Sequence, residues 1–208
     1  LDHEGNTSLN TFLQAVDWLL TYGKIYNIRI VNISMGADIH NRQLNIHRLN
    51  ASVDALWDAG YTVCVSAGNN GPSTDSITAP GSSCKVITVG ASDDNQGAQG
   101  SIPHYSGRGP LACPTIKPEI AAPGSRIISC TNSAYGYCVK TGTSMSTAFV
   151  SGAIALLLES QPYITNEDIK KHLRKCARRT SLPHFQQGYG LLDIKRLLKE
   201  PVNDSGYN

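Results

Sequence analysis

Apolar residues recur at helical spacing in two stretches near the start of the chain. The stretch 8–24 places its apolar side chains three and four residues apart, which is typical of an α-helix with one buried face. Ser8 or Asn10 would cap this helix and Gly23 would end it. A second amphipathic pattern covers 44–60. The apolar positions of the first stretch are Leu9, Phe12, Leu13, Val16, Leu19 and Leu20.

Three other stretches are continuous runs rich in β-branched residues. They cover 28–36 (IRIVNISMG), 61–71 (YTVCVSAGNNG) and 84–92 (CKVITVGAS). Such runs are typical of strands that are buried on both faces of a sheet. Because helices alternate with these strands, the sequence predicts an α/β fold with a mostly parallel sheet flanked by helices.

The second half of the chain begins irregularly and ends in helices. The segment 93–140 is rich in Gly, Pro and Ser, which indicates loops and short strands. The segment 144–161 is long and mostly apolar, and this predicts a helix that is buried nearly all round. Two further helices are predicted over 165–177, with Thr165 as N-cap, and over 190–200.

Composition describes a globular protein of one domain. The chain has 208 residues, of which 40% are hydrophobic and 16% charged, so it can bury a sizeable core. We expect one folded unit over 1–200 and a frayed tail over 201–208.

A net charge of +2 without a basic stripe argues against nucleic acid as a partner. No apolar run approaches ~18 residues, so no membrane span is predicted.

Six cysteines are present without any CxxC pair, so a zinc cluster is not expected. Cys64 lies inside a strand-like run and is predicted to be a small buried hydrophobic residue. Cys130 and Cys138 flank a possible hairpin, and they are either free or paired with each other. The cellular compartment therefore stays open.

Three loops are expected to meet at one rim of the sheet. Parallel strands place ligands beyond their carboxyl ends, where the turns 34–36 and 66–71 lie, and Ser144 opens the long apolar helix. Taken singly, each is ordinary: Ser144 resembles a first-turn serine, and Asn69 resembles a turn residue. The turn 66–71 lacks both GxGxxG and a P-loop lysine, so a nucleotide cradle is not favoured.

Taken together, four stretches resemble the subtilisin-like serine proteases, the subtilase family. They are IVNISMG, VCVSAGNNG, IKPEIAAPGSRI and GTSMSTAFVSGAIALLL, in family order. The resemblance runs from about Leu1 to about Lys199. It implies a serine endopeptidase in which Ser144 is the nucleophile and Asn69 donates its amide to the oxyanion. The family commonly has Pro-His at the positions of Ala148 and Phe149 in this chain. Neither position transfers a proton in the family's mechanism.

The resemblance also implies a cleft for a peptide or protein substrate. Ser34, Met35 and Gly36 would pair with the substrate as an added strand. Ser66, Ala67 and Gly68 would form one wall of the pocket for the residue before the cut. The segment 78–80, with Thr78 and Pro80, lies where the family closes that pocket. Thr78 stands where a glycine is frequent, so we expect a shallower pocket.

A serine nucleophile needs a histidine base and a carboxylate to orient that base. The six histidines are His3, His40, His47, His104, His172 and His184, and none has the family's His-Gly-Thr context. Asp2 and Asp17 likewise lack the context of the family's aspartate. We therefore expect that the chain is the C-terminal portion of a subtilase domain, without the N-terminal strands and inactive alone.

Two alternatives stay open beside the protease hypothesis. One is a pseudoprotease that uses the same fold as a binding or regulatory module, although intact Ser144 and Asn69 favour the enzyme. The other is an unrelated α/β domain. A chain that begins with Leu1 and shows no signal-peptide pattern indicates a removed leader or a piece of a longer protein.

Several expectations follow for ligands and partners. No cofactor or metal is expected in this chain, whereas calcium is possible in the complete protein.

The strand within 28–36 would become a sheet edge if the upstream strands are missing, so the chain is expected to self-associate. The family slightly favours a secreted or cell-surface location, and a cytoplasmic one stays possible.

Overall fold

Helices alternate with buried strands in the first part of the chain, as the hydrophobic pattern predicts. A computed structural model describes residues 7–37, 43–93, 100–110, 114–132 and 135–202. In chain order the elements are α1 (Leu9–Tyr22), β1 (Ile30–Ile33), α2 (Gln43–Asp58), β2 (Thr62–Ser66), β3 (Ile87–Ser92), β4 (Ile120–Pro123), β5 (Ile127–Cys130), β6 (Tyr137–Lys140), α3 (Thr143–Ser160), α4 (Asn166–Cys176), α5 (His184–Gln187) and α6 (Ile194–Lys199).

The main sheet has four parallel strands in the order β1-β2-β3-β4. Strands β2 and β3 are buried along their whole length, which explains their unbroken apolar sequences. Strand β4 lies within the segment for which the sequence predicts loops and short strands. Within the described residues β1 is an edge strand, as expected if no earlier strand pairs with it.

The first helix shows how local sequence fixes the start and end of an element. Ser8 Oγ accepts a hydrogen bond from the Thr11 N–H at 3.1 Å, so Ser8 is the N-cap, and the helix stops before Gly23. Its buried side chains are Phe12 and Val16. This helix packs against α2, which places an apolar layer beside the sheet.

Helix α3 lies across all four strands of the sheet. The expectation that it is buried nearly all round is wrong, because the sheet covers one face and Phe149 and Leu156 stay substantially exposed on another. A Cβ atom built on Gly152 would have no described neighbouring atom within 4 Å. By length and composition alone, α3 is long and apolar enough to cross a bilayer. The core helices of soluble proteins meet the same two criteria.

Strands β5 and β6 form an antiparallel ribbon beside the main sheet. Its register pairs Cys130 with Tyr137 and Cys138 with Ser129. Neighbouring residues of a strand point to opposite faces, so the two cysteines lie on opposite sides of the ribbon. Both are free thiols, and the alternative in which they form a disulfide is therefore wrong. Cys84 is disulfide-bonded, and Cys64 is free and buried as predicted.

A buried cluster of charges joins the entry of β4 to α4. The Glu119 carboxylate is almost completely buried and accepts a hydrogen bond from the Thr88 N–H at 2.8 Å. Three cations surround it: Lys117 at 2.9 Å, Lys170 at 3.1 Å and Arg174 at 3.5 Å. Burial lowers the pKa of Lys117 from 10.5 to about 8, although Glu119 opposes that shift. One carboxylate thus balances three cations inside the fold.

Candidate active site

The carboxyl ends of β1 and β2 meet the N-terminus of α3 around an open cleft of about 430 Å³. Parallel strands bring their carboxyl ends to the same rim, which is where α/β proteins bind ligands. All of the lining side chains are uncharged. The cleft is lined by Ser34, Met35, Gly36, Ser66, Gly68, Asn69, Asn70, Thr78, Thr143 and Ser144.

Ser144 is the second residue of α3, and its hydroxyl faces the end of β1. Its Oγ donates to the Ser34 carbonyl at 3.1 Å. The Ser34 Oγ donates in return to the Ser144 carbonyl at 3.1 Å. This reciprocal pair fixes the start of the helix against the end of the strand and holds the Ser144 hydroxyl at the cleft.

A chain of polar side chains extends this pair along the β1 edge. Asn32 donates through Nδ2 to the Ser34 Oγ at 3.1 Å. Ser151, two turns along α3 from Ser144, donates to the Asn32 Oδ1 at 2.9 Å. Since Asn32 faces α3, the alternation of a strand turns Val31 and Ile33 toward the opposite side, where they are buried.

The Asn69 side chain is held by its oxygen. Asn69 Oδ1 accepts from the Thr143 backbone N–H at 3.0 Å and from the Thr143 hydroxyl at 3.1 Å. The Thr143 Oγ1 also accepts from the Gly68 N–H at 3.2 Å. Two donors on the amide oxygen fix the orientation of the group. The Asn69 NH₂ makes no hydrogen bond within the described part of the chain.

Gly142 precedes the helix with φ of 153°, a conformation that side chains rarely adopt. A Cβ at this position would lie 3.1 Å from the Asn69 Nδ2. Glycine therefore allows the backbone to enter α3 while leaving the amide group accessible.

The N-terminus of α3 supplies a second donor. Ser144 lies in the first turn, where backbone N–H groups have no acceptor within the helix. Its N–H makes no hydrogen bond to any other described residue. The dipole of this long helix favours negative charge at the same end. The Ser144 N–H and the Asn69 amide can thus both donate to an oxyanion that forms beside the Ser144 hydroxyl.

Thr78 lines the cleft between the ends of β1 and β2. A Cβ on Gly36 would lie 2.3 Å from the Thr78 Oγ1, and a Cβ on Gly68 would lie 2.5 Å from the same atom. The threonine side chain therefore fits between the ends of the two strands because both of these neighbours are glycines. Its backbone N–H donates to the Ala67 carbonyl at 3.0 Å.

Eight of the ten site residues predicted from sequence line the cleft. Ala67 and Pro80 are buried and do not line it. Asn70 and Thr143 also line the cleft and were not predicted. In the sequence, Thr143 is marked by its position directly before Ser144. From sequence alone, such a threonine looks like any residue in the first turn of a helix.

None of the described histidines lines the cleft. His172 is buried with its Nε2 2.8 Å from the Leu197 carbonyl, and the Nδ1 of His184 is 2.7 Å from the Gly188 carbonyl. His47 and His104 are exposed. His3 and His40, with Asp2, lie outside the described residues. In the part of the chain that the structure covers, no group of three His, Cys, Asp or Glu side chains could hold a metal ion.

Sequence and structure comparisons give a consistent result. A model of the Subtilase family matches residues 1–190. The chain is 35% identical to "Serine protease AprX" of Bacillus subtilis (strain 168), over 84% of this chain and 44% of that protein. It is 30% identical to "Thermostable alkaline protease" of Halalkalibacterium halodurans, over 94% of this chain and 48% of that protein. The chain thus spans about half the length of these relatives.

Two solved structures show the same fold. "S41 Psychrophilic Protease" superposes with a TM-score of 0.78 at 23% identity, covering 90% of this chain and 64% of that one. "Sphericase" superposes with a TM-score of 0.77 at 23% identity, covering 91% of this chain and 64% of that one. The parallel sheet flanked by helices is therefore the subtilisin-like architecture.

Proposed function

Because this chain belongs to the subtilase family, we propose that it carries the nucleophile, the oxyanion hole and the substrate cleft of a serine endopeptidase. One observation carries the proposal. The Ser144 hydroxyl lies at a helix N-terminus beside two unengaged donors, its own N–H and the Asn69 NH₂, and Thr143 holds the Asn69 amide by its oxygen. A serine that served as a helix cap alone would not need this second donor.

The reaction follows from this geometry. The Ser144 Oγ attacks the scissile carbonyl carbon while a base takes the hydroxyl proton, and the carbonyl oxygen becomes an oxyanion. The Ser144 N–H and the Asn69 NH₂ donate to that oxyanion. The C–N bond then breaks, and the base returns the proton to the leaving amine. Water hydrolyses the resulting acyl-enzyme in a second cycle of the same steps. No step requires a cofactor, and calcium stays a prediction for the complete protein.

The cleft would hold the substrate as an extended strand. The backbone 34–36 continues from edge strand β1, and the facing backbone 66–68 continues from β2. Extended peptides bind such edges through main-chain hydrogen bonds. The uncharged lining favours recognition by backbone and by side-chain size over recognition by charge.

The base, in this proposal, comes from polypeptide that pairs with the open edge of β1. That edge has no partner strand within the described sheet, and Ser144 and Ser151 of α3 contact the residues of β1 and of the turn that follows it. An additional strand at this edge would bring new side chains next to Ser144. The same edge would lead this chain alone to self-associate, because an open apolar edge is a template for pairing.

A pseudoprotease is the second candidate. Its supporting observation is that no described histidine or carboxylate lines the cleft. Without a base the Ser144 hydroxyl stays protonated and weakly nucleophilic, and the same cleft would bind an extended peptide without cutting it.

Hydrolysis of a chromogenic peptide by the complete polypeptide and by residues 1–208 distinguishes these candidates. The proposal expects turnover by the complete polypeptide, its loss in Ser144→Ala and very slow turnover by 1–208. His3→Ala and His40→Ala in the complete polypeptide should keep the activity. Loss of activity in either histidine variant would place the base within this chain. A complete polypeptide that binds peptide but does not cut it would favour the pseudoprotease.

A further inference from the structure

Asn32 is the one polar residue of strand β1, whose other residues are isoleucine or valine. Asparagine is depleted in strands, where β-branched side chains are favoured. The side chain of Asn32 is exposed, so filling the core does not explain its presence either. The hydrogen bonds of its amide group distinguish Asn32 from the residues that a strand favours.

The Asn32 amide connects β1 to two separate points of α3. Its Nδ2 donates to the Ser34 Oγ at 3.1 Å, and the same Ser34 Oγ donates to the Ser144 carbonyl at 3.1 Å. Its Oδ1 accepts from the Ser151 Oγ at 2.9 Å. Both the NH₂ and the oxygen of the amide are therefore engaged, which fixes the orientation of the group. Asn32 thus reaches Ser151 directly and Ser144 through Ser34.

The spacing of these two points determines what the contacts can fix. Ser144 and Ser151 are two turns apart on α3, which is about 10.5 Å along the helix axis. A step of seven residues falls only ~20° short of two complete turns, so both serines face β1. The apolar packing of α3 on the sheet is not directional. Two hydrogen-bonded contacts two turns apart fix both the rotation of α3 and its position along β1.

We propose that Asn32 is a positioning residue for the nucleophile, and that together with Ser151 it sets the position of the α3 N-terminus against the end of β1. This inference rests on the proposed function, because it assigns a role in the same reaction. Asn32 is not among the described residues that line the cleft, so it acts through Ser34 and Ser151 and not on the substrate itself.

A shift of α3 would affect two groups of the proposed mechanism at once. Ser144 supplies both the hydroxyl that attacks and a backbone N–H that donates to the oxyanion. Misplacing such groups by about 1 Å can cost about 10²-fold in rate. The substrate would pair with the strand ends 34–36 and 66–68, which belong to the sheet and not to α3. The rate of the chemical step should therefore fall while the affinity for the substrate stays the same.

Variants of the complete polypeptide, assayed on a chromogenic peptide, test this role. Asn32→Ala removes both hydrogen bonds of the amide, Ser151→Ala removes the bond at the far point, and a double variant combines the two changes. Asn166→Ala is the matched control. The Asn166 amide also makes two hydrogen bonds, to the Trp57 carbonyl at 2.8 Å and the Tyr61 carbonyl at 3.2 Å, and it does not line the cleft.

Asn32→Ala should lower kcat by about tenfold to a hundredfold and change KM by less than about twofold. Ser151→Ala should lower kcat by a smaller factor. The double variant should be no slower than Asn32→Ala, because both substitutions break one connected network. Asn166→Ala should lower the midpoint of thermal unfolding and keep the wild-type kcat. The inference is overturned if Asn32→Ala keeps the wild-type kcat, if KM rises as much as kcat falls, or if Asn166→Ala loses as much activity as Asn32→Ala.

Amide hydrogen exchange separates this inference from the proposed function, because it needs no substrate. In the complete polypeptide, Asn32→Ala should speed the exchange of the backbone amides 147–151 of α3 by at least about fivefold, and Asn166→Ala should leave it unchanged. If the wild type hydrolyses nothing but Asn32→Ala shows this faster exchange, the protease proposal fails and the positioning role stands. If the wild type hydrolyses the peptide but Asn32→Ala changes neither kcat nor exchange, the role of Asn32 fails and the protease proposal stands.

Discussion

Replacing Glu119 by glutamine should destabilise the fold strongly, because this carboxylate is the counter-charge of a buried cluster. It is 2% exposed and lies 2.9 Å from Lys117 and 3.1 Å from Lys170. Removing one partner of a buried ion pair costs about 3–5 kcal/mol. At about 2–4 °C per kcal/mol for a domain of this size, the midpoint of thermal unfolding should fall by roughly 6–20 °C.

The pH dependence of stability gives a second readout of the same cluster. The pKa of Lys117 is lowered from 10.5 to about 8 by burial, so the unfolded state binds more protons than the folded state between these values. The free energy of unfolding should therefore rise as pH increases through this window, by about 3 kcal/mol for a shift of this size. Below pH 8 this contribution is absent. In Glu119→Gln the rise should begin at lower pH, because the carboxylate that favours the charged lysine is gone.

Urea unfolding followed by circular dichroism measures both effects. Glu159→Gln is the matched control, since Glu159 is an exposed carboxylate on α3 and its loss should change stability by less than about 0.5 kcal/mol. The reasoning is refuted if Glu119→Gln is no less stable than this control, or if the two variants show the same pH profile.

Three further predictions concern catalysis, thiols and association. In the complete polypeptide, Asn69→Ala should lower kcat by about 10²–10³ with little change in KM, as the loss of such a donor does in a subtilisin; a proportional rise in KM instead would remove the role of Asn69. Cys130 is exposed and should react rapidly with a thiol reagent. Burial raises the pKa of Cys64 to about 12, so this thiol should stay unreactive until the protein unfolds. Modification of Cys64 in the folded protein would contradict its buried placement. In sedimentation velocity, residues 1–208 should form dimers or larger species as concentration rises, and a monomer at all concentrations would contradict the open β1 edge.

The sequence predicted those elements whose pattern is set by the residues alone. The buried strands β2 and β3 were predicted because both of their faces are apolar, and α1 was predicted because Ser8 and Gly23 mark its ends. The sequence predicted short strands over 93–140 but gave β4 no bounds, because β4 is short and contains two alanines, which have weak strand propensity. It is a strand because β3 offers it a partner.

The burial of α3 could not be predicted from its sequence. Some apolar residues of α3 contact the sheet, and others have no partner in the described chain. The hydrophobic pattern of the sequence does not distinguish these two groups. The role of Thr143 was missed for a related reason, because its hydroxyl acts through Asn69, which is distant in sequence and close in space. Ser144 and Asn69 were predicted from several motifs together and not from either residue alone.

Labelling by a fluorophosphonate, followed by mass spectrometry of the digested protein, tests the central claim most directly. The reagent forms a covalent bond with an activated serine. The account predicts rapid labelling of the complete polypeptide at Ser144, no labelling in Ser144→Ala, and labelling of residues 1–208 alone at a rate close to that of an ordinary exposed serine. Rapid labelling of 1–208 alone would contradict the claim that the base lies elsewhere, and labelling of a different residue in the complete polypeptide would contradict the assignment of Ser144 as nucleophile.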